Sequence, residues 1–330
     1  MMRRIREGVT VGRSWQTGRM TDRAPKLLLL DTASLYFRAF YGVPDTVKAP
    51  DGSSVNAVRG LLDMIAKLVS TYEPTHLVAC WDDDWRPQWR VDLIPSYKAH
   101  RVVEVVADGA DVEDVPDPLE AQIPLIRAAL TALDLPIVGA AEHEADDVIG
   151  TLATTATMPV DIVTGDRDLF QLVDDGRGIR VVYTARGMSN LEIVTDEVVV
   201  KKYGVLPSQY ADFATMRGDA SDGLPGVAGV GEKTAATLLA AHGSLDAIRR
   251  AAVGVEGMSA GVSAKILAAA DYLDVAPTVV EVARTLPLTA PDTPLHPLDP
   301  AERAAAVGLA EKWNLGTSMA RAIQALDQIA

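Results

Sequence analysis

The chain has 330 residues, with 45 Asp+Glu against 31 Lys+Arg and a formal net charge of −14. Its 48% hydrophobic and 23% charged residues make an ordinary globular composition, long enough for one large domain or two of ordinary size. No apolar run approaches the ~20 residues of a membrane span. The single cysteine, Cys80, excludes an internal disulfide and a cysteine zinc cluster and fits a reducing cytoplasm. The acidic balance lacks the basic footprint of a non-specific nucleic-acid binder, although bulk charge does not say where the carboxylates sit.

Residues 1–24 carry six arginines and no apolar stretch of the ~7–15 residues that a secretory signal needs. They read as a disordered basic extension, with Met20 as the natural start, or as a basic arm that touches DNA. Residues 25–204 read as an α/β unit. Leu27–Leu30, Thr75–Trp81 and Pro159–Thr164 are short apolar runs, each followed by Asp, and predict buried parallel strands. Between them, Ser53 or Ser54 can cap a helix carrying Val55, Val58, Leu61, Leu62, Ile65, Leu68 and Val69 on one face. Leu119–Leu133 and Ala145–Thr155 are further helical stretches. Such alternation predicts a mostly parallel central sheet flanked by helices, with the site beyond the carboxyl ends of the strands. Residues 205–290 turn to helices and short turns. Residues 291–330 read as a C-terminal helical segment that packs on the core.

Nine acids recur at strand ends and in tight clusters: Asp31, Asp82, Glu144, Asp146, Asp147, Asp166, Asp168, Asp219 and Asp222. One Asp after a strand is often only a helix cap. A series of them, with few adjacent bases, needs charge compensation. Hard divalent cations with oxygen ligands supply it, and Mg2+ or Mn2+ is the natural choice where no Cys or His set exists. Two such ions about 4 Å apart suit in-line displacement at phosphorus.

Two further segments bear on phosphate. Trp85-Arg86-Pro-Gln-Trp89-Arg90 and Tyr97-Lys98-Ala-His-Arg101 bring four cations and three aromatics into 17 residues. On a helix, Lys98 and Arg101 would face one way. The stretch Leu224-Pro-Gly226-Val-Ala-Gly229-Val-Gly231-Glu-Lys233-Thr234 reads as a helix–hairpin–helix. Its glycines let the backbone approach a phosphate at a helix amino end.

In order along residues 26–290, these segments resemble the bacterial 5′ nucleases: the flap endonuclease/5′–3′ exonuclease family, which includes the N-terminal nuclease domain of DNA polymerase I. The resemblance implies a PIN-like nuclease core, a helical arch over residues 86–127 and a helix–hairpin–helix that grips duplex. It implies a stand-alone, monomeric, structure-specific 5′ nuclease. Such an enzyme cuts branched, nicked or 5′-flapped DNA, including RNA primer ends, by metal-activated water at the bacterial nucleoid. Asp31, Asp82, Glu144 and Asp146 then resemble the ligands of a first ion, and Asp166, Asp168 and Asp222 those of a second. Asp147 and Asp219 match extra acids able to hold a third. Lys98 and Arg101 resemble the clamp on the scissile phosphate. Arg38, Phe37 and Phe40 match the contacts to the 5′ nucleotide. Arg90 and Tyr97 join the DNA-binding set with Gly229, Gly231, Lys233 and Thr234. Ser221 and the carbonyls of Val227 and Val230 match a K+ site. Departures from the family pattern are Thr32, Trp81 and Gly223 where Gly, Phe and Asn are usual. A PIN-type ribonuclease would not need the arch and the hairpin, and a non-catalytic binder of branched DNA would lack carboxylates.

Residues 102–126 hold seven acids and no Lys or Arg. By resemblance they form the far part of the arch, with the acids expected on its outside. Outside the nine site acids, these seven and the extension, 27 acids face 25 bases. Most of the excess charge therefore belongs to the expected site and arch.

Overall fold

A computed structural model describes residues 23–106, 111–288, 291–292 and 294–329. Of the basic extension only Arg23 and Ala24 are among them, Arg23 pairing with Glu73 at 3.7 Å, and Asp108 of the acidic stretch lies outside the described residues. The chain runs β1 (Leu27–Asp31), α1 (Thr32–Gly42), α2 (Asn56–Tyr72), β2 (His76–Cys80) and α3 (Gln88–Leu93). It continues through β3 (Val102–Glu104), β4 (Val112–Glu113), α4 (Asp117–Glu120), α5 (Ile123–Ala132) and β5 (Ile137–Val138). Next come α6 (Ala145–Thr155), β6 (Val160–Thr164), β7 (Ile179–Tyr183), β8 (Glu192–Val194) and α7 (Asp196–Tyr203). The remainder is helical among the described residues: α8 (Tyr210–Arg217), α9 (Glu232–His242), α10 (Leu245–Gly254), α11 (Ala260–Ala268), α12 (Ala270–Val280), α13 (Pro300–Trp313) and α14 (Gly316–Asp327).

Six strands form one sheet in the order β5-β2-β1-β6-β7-β8, parallel except for the β7–β8 pair. The strands that end in acids, β2, β1 and β6, are neighbours at its centre. Their side chains alternate between two apolar layers. Leu28, Leu30, Ala79 and Val163 face the layer built with α1, α2, α5 and α14. Leu27, Leu29, Val78 and Ile162 face the layer of α6, α8 and α9. Burial on both faces is why these strands read as unbroken apolar runs.

Local readings shift in three places. Helix α2 starts at Asn56 with Val55 as its cap residue and no side-chain cap, so Ser53 and Ser54 do not cap it. The stretch Leu119–Leu133 is broken by Ala121-Gln122, where the buried Gln122 accepts from the N–H of Ala57 at 2.9 Å and ties the turn to α2. Among the described residues, the far part of the expected helical arch is mixed, a strand pair followed by α4 and the start of α5. Only α3 and a single 3-10 turn, Ala99–Arg101, precede the antiparallel pair β3–β4, in which Val102 opposes Glu113.

Candidate active site at the carboxyl ends of the strands

Parallel strands place their last residues along one rim of the sheet, and the acids gather there. Asp31 ends β1 and caps α1, accepting from the N–H of Ser34 at 3.1 Å. Its second oxygen accepts from the Thr164 hydroxyl at 2.6 Å, across from the end of β6. Asp82, just past β2, accepts from the N–H of Ala145 at 2.8 Å and so fixes the amino end of α6. Glu144 and Asp146 stand on that end. Asp31, Asp82, Glu144, Asp146 and Asp166 line one cavity of about 530 Å³ together with Lys98 and Arg101. Asp168 lies beyond it in a 3-10 turn after β6, and Asp222 in a 3-10 turn after α8.

Desolvation and mutual repulsion show in the acidities. Burial, with Asp82 and Asp166 close by, raises the Asp31 carboxyl to about 7 against the opposing Thr164 hydrogen bond. Burial raises Asp82 to about 6, with the Glu144 charge adding to it. Asp146 is pushed well up by burial and then by Asp31 and Asp166. Asp168 is pushed well up by burial and then by Asp166, Asp222 and Asp219. Asp222 is raised by burial against the pull of Lys98. Several carboxyls that cannot all ionise cheaply in one place mark a functional site more readily than a structural one.

Two of the nine acids serve other partners. Asp147 is fully buried, and both its oxygens accept from Arg90 at 2.8 Å. It also accepts from the N–H groups of Ala283 and Glu144, the latter closing a capping box on α6. Arg90 holds its carboxyl low in spite of burial. The metal reading of Asp147 is thereby corrected, because its lone pairs are spent inside the protein. Asp219 accepts from the N–H and hydroxyl of Ser221 and from Arg217 at 3.2 Å, with Arg167 at 3.9 Å. It caps the turn that carries Asp222 and stands as a structural neighbour of the site, not a free ligand.

The cations are corrected in the same way. Arg90 is 3% exposed, bound to Asp147, to Glu144 at 3.1 Å and to the Val279 carbonyl at 3.1 Å, so it is not presented to DNA. Tyr97 is buried and donates its hydroxyl to Glu144 at 2.6 Å, which removes it from the base-contacting set. Arg86 is buried against Asp111 and the Tyr97 carbonyl. Lys98 and Arg101 do reach the cavity. The Lys98 backbone is left-handed at φ 47 and is held from three sides. Its N–H donates to the Asp222 carbonyl at 2.9 Å, and its ammonium to Glu144 and the Trp85 carbonyl. A non-glycine residue keeps such a backbone only where its surroundings over-determine it, as happens at functional sites. Arg101 binds Asp222 at 3.0 Å and the Ser221 carbonyl at 2.6 Å. Seven carboxylates thus face two cations.

The acidic stretch is divided: Glu104, Asp114 and Asp117 are exposed and lie outside the cavity lining, whereas three others turn to the cavity. Asp111 is buried with Arg86, and Asp111, Glu113 and Glu120 all line the cavity. Arg38 lines an adjoining cavity of about 660 Å³ that shares Ser34 and Phe37 with the first. The Arg38 Nε is buried there without a hydrogen-bond partner. Phe40 is half-buried against the core and edge-on to Tyr41, so it is not turned to the cleft.

Gly223 occupies one of the three positions that depart from the family pattern. Its φ is 70°, and a Cβ there would lie 2.0 Å from the Ser96 carbonyl oxygen. Absence of a side chain lets the Asp222 turn dock on the backbone before Lys98. In the hairpin, Gly231 caps α9 without a side-chain bond, Lys233 is exposed and Thr234 half-exposed, and the Gly229 carbonyl accepts from Lys265 at 2.9 Å. Val227 and Val230 are buried, and the Val227 carbonyl accepts from the N–H of Val230. Ser221 donates its hydroxyl to Asp219, and its carbonyl accepts from Arg101.

The residues fit divalent cations. Every candidate ligand atom is a hard oxygen, negative charge exceeds the local cations, and the Asp168 Oδ1 is buried with no partner. Among the described residues, no three of these carboxylates bring oxygens within 4.8 Å of one another. That spread suits ions that keep water in their shell, as Mg2+ does.

Sequence reasoning passed over Thr164, Arg217 and Arg167. Thr164 sits two residues before Asp166 as the last residue of an apolar run, and Arg217 stands directly before Gly218-Asp219, so proximity to an acid pair was the available signal.

An acidic rim on a parallel sheet, with a helix–hairpin–helix turn beside it, defines the class as a nuclease of PIN-like architecture. Family comparison agrees. Residues 26–204 match the 5′–3′ exonuclease N-terminal resolvase-like domain, and residues 205–302 the 5′–3′ exonuclease C-terminal SAM fold. A Streptomyces coelicolor 5′–3′ exonuclease is 56% identical over 91% of this chain and 99% of its own. One from Mycobacterium tuberculosis is 49% identical over 93% and 99%. DNA polymerase I of Mycobacterium bovis is 44% identical over 68% of this chain and 24% of that protein. Zinc-bound T5 5′-exonuclease shares the fold, with a TM-score of 0.61 at 15% identity over 92% of this chain and 100% of the other. The chain belongs to the 5′–3′ exonuclease family, and its activity is that of a nuclease.

Proposed function

We propose that this 5′ nuclease is structure-specific, cutting DNA near single-strand/duplex junctions such as 5′ flaps and nicks, with Mg2+ or Mn2+ as its cofactor. RNA primer ends are included among its substrates, and it acts as a monomer. The observation that carries the reading is the gathering of seven carboxylates at the rim where β2, β1 and β6 end, joined there by the Asp222 turn, with Lys98 and Arg101 the cations that line the same cavity.

Asp31, Asp82, Glu144 and Asp146 would hold one ion, and Asp166, Asp168 and Asp222 a second. When bound, the ions supply an activated water and neutralise charge building on the phosphate. Lys98 and Arg101 are placed to receive the scissile phosphodiester, the arginine as a fork and the lysine as a point charge. In the protein alone both cations are bound to site carboxylates, so phosphate and cations exchange partners on binding. Thr164 and the N–H groups of Ser34 and Ala145 aim the carboxylates. Arg38 and Phe37, in the adjoining cavity, would contact the 5′ nucleotide. Lys233, Thr234 and the backbone of Gly229 and Gly231 would hold duplex phosphates, with the Val227 and Val230 carbonyls as K+ ligands. Contacts of this kind read no base edges, so recognition follows DNA shape.

The test is cleavage of 5′-labelled flap DNA, matched duplex and single-stranded RNA with Mg2+, Mn2+ or EDTA. A metal-dependent product from the flap is expected. Cleavage of the RNA alone would replace the reading with a PIN-type ribonuclease.

A further inference from the structure

The rim opposite the cleft carries a second set of potential ligands. Asp134 follows α5 just before β5, while His296 and Glu302 come from the segment leading into α13. Glu302 itself lies on the first turn of α13, and one ligand atom from each of the three residues lies within 4.8 Å of the other two, a grouping found nowhere else among the described residues. The His296 Nε2 is 3.0 Å from an Asp134 oxygen, and its Nδ1 is 3.1 Å from the Pro297 carbonyl. A carbonyl and a carboxylate both only accept, so in the metal-free protein both ring nitrogens donate and the ring pairs with Asp134; a bound cation would take the place of the Nε2 proton while the Pro297 carbonyl still holds Nδ1–H. Histidines that ligate metals are oriented in this way, by a hydrogen bond from the other ring nitrogen.

The backbone holds the three in place. The N–H of Leu295 donates to the Thr75 carbonyl at 2.7 Å, beside the start of β2. Glu302 closes a capping box with Asp299, which fixes it on the first turn of α13. With a divalent cation in place of the Nε2 proton, the two carboxylates would balance its charge. Arg127, which lines the adjoining cavity of about 420 Å³, is turned to Asp83 and lies over the Trp81 ring.

We propose that Asp134, His296 and Glu302 form a site for a borderline divalent cation of the Zn2+ class. One imidazole and two carboxylates suit Zn2+, with an open position for water. The site lies away from the catalytic cleft and clips the 294–302 segment to the turn after α5. It stands independently of the nuclease reading.

The test is equilibrium dialysis of the full chain against Zn2+ in a large excess of Mg2+, which occupies the oxygen-only cleft. Zinc K-edge absorption and melting temperature are recorded on the same samples. Wild type should retain one Zn2+ per chain, show one imidazole at about 2.0–2.1 Å, and melt higher with Zn2+ than with chelator. His296→Ala should melt like wild type in chelator, which shows that it folds, but lose the retained Zn2+, the imidazole signal and the zinc-induced rise. Glu302→Gln, which keeps a capping side chain, should weaken retention. Equal zinc retention by wild type and His296→Ala would overturn the site. So would retention without imidazole, or no retention at all, which leaves His296 as a protonated partner of Asp134.

Discussion

Arg90 separates a structural cation from a DNA-binding one. Its guanidinium is 3% exposed and bonds both oxygens of Asp147, one of Glu144 and the Val279 carbonyl, with its plane over Trp89 at 4.4 Å. Arg90→Ala leaves the buried Asp147 without its counter-charge and Glu144 with Lys98 alone. Breaking a buried pair from one side costs about 3–5 kcal/mol. At an unfolding entropy of about 2.1 cal/mol/K per residue, a chain of this length would melt roughly 4–7 °C lower. Calorimetry checks the shift. Flap-DNA affinity against salt concentration, measured in EDTA so that no cleavage occurs, checks the alternative. A cation that touched one phosphate would lower the logarithmic salt slope by about 0.9 on removal. The slope should not change for Arg90→Ala. In a double-mutant cycle with Asp147→Asn, the losses should be strongly non-additive, because the two residues share one interaction. A variant that melts like wild type but has a smaller salt slope would refute the buried assignment and return Arg90 to the DNA surface.

Gly223→Ala should reduce flap cleavage and stability together. Its Cβ would meet the Ser96 carbonyl at 2.0 Å with φ at 70°, displacing the turn that presents Asp222; unchanged activity would show that the turn gives way freely. The raised carboxyls of Asp31, about 7, and Asp82, about 6, set a pH dependence. In metal-free protein they stay protonated after their unfolded counterparts, near 3.9, have ionised, so stability falls as pH rises from about 4 to 7. Mg2+ needs the ionised forms, so its affinity should climb over the same range and its binding should release protons. Calorimetric titration in two buffers of different ionisation heat reads that release, and its absence at pH 6 would contradict the assignment. Thr164→Val removes the hydroxyl that favours ionised Asp31. The Mg2+ affinity profile should then move to higher pH; a shift to lower pH would mean that Thr164 does not act through Asp31.

The sheet centre was legible because β1, β2 and β6 are buried on both faces and leave short apolar runs, broken in β6 only by Asp161, with an Asp at the end of each or within two residues of it. β7 was not, because Arg180 interrupts its run, and that arginine is satisfied by Asp161 on the neighbouring strand, which no local pattern reveals. In the sequence Glu144 and Asp147 read as metal ligands in one tight cluster, but the two form a reciprocal cap on α6 with Arg90 bound to both. Counting cations between Trp85 and Arg101 found the right segment and gave Arg90 the wrong role. What decides their exposure are carboxylates at positions 111, 144, 147 and 222, far along the chain. The same long-range pairs explain why Lys98 and Arg101 meet the site from a single 3-10 turn and not from a helical arch.

The most direct measurement compares wild type with Asp146→Asn and Asp168→Ala on 5′-flap DNA in Mg2+ and in EDTA, with melting and flap binding recorded for each. Wild type should cut near the junction only with metal. Both variants should fold and still bind the flap while cleavage is lost. Metal-independent cutting by wild type, or full activity in either variant, would contradict a carboxylate-held metal centre.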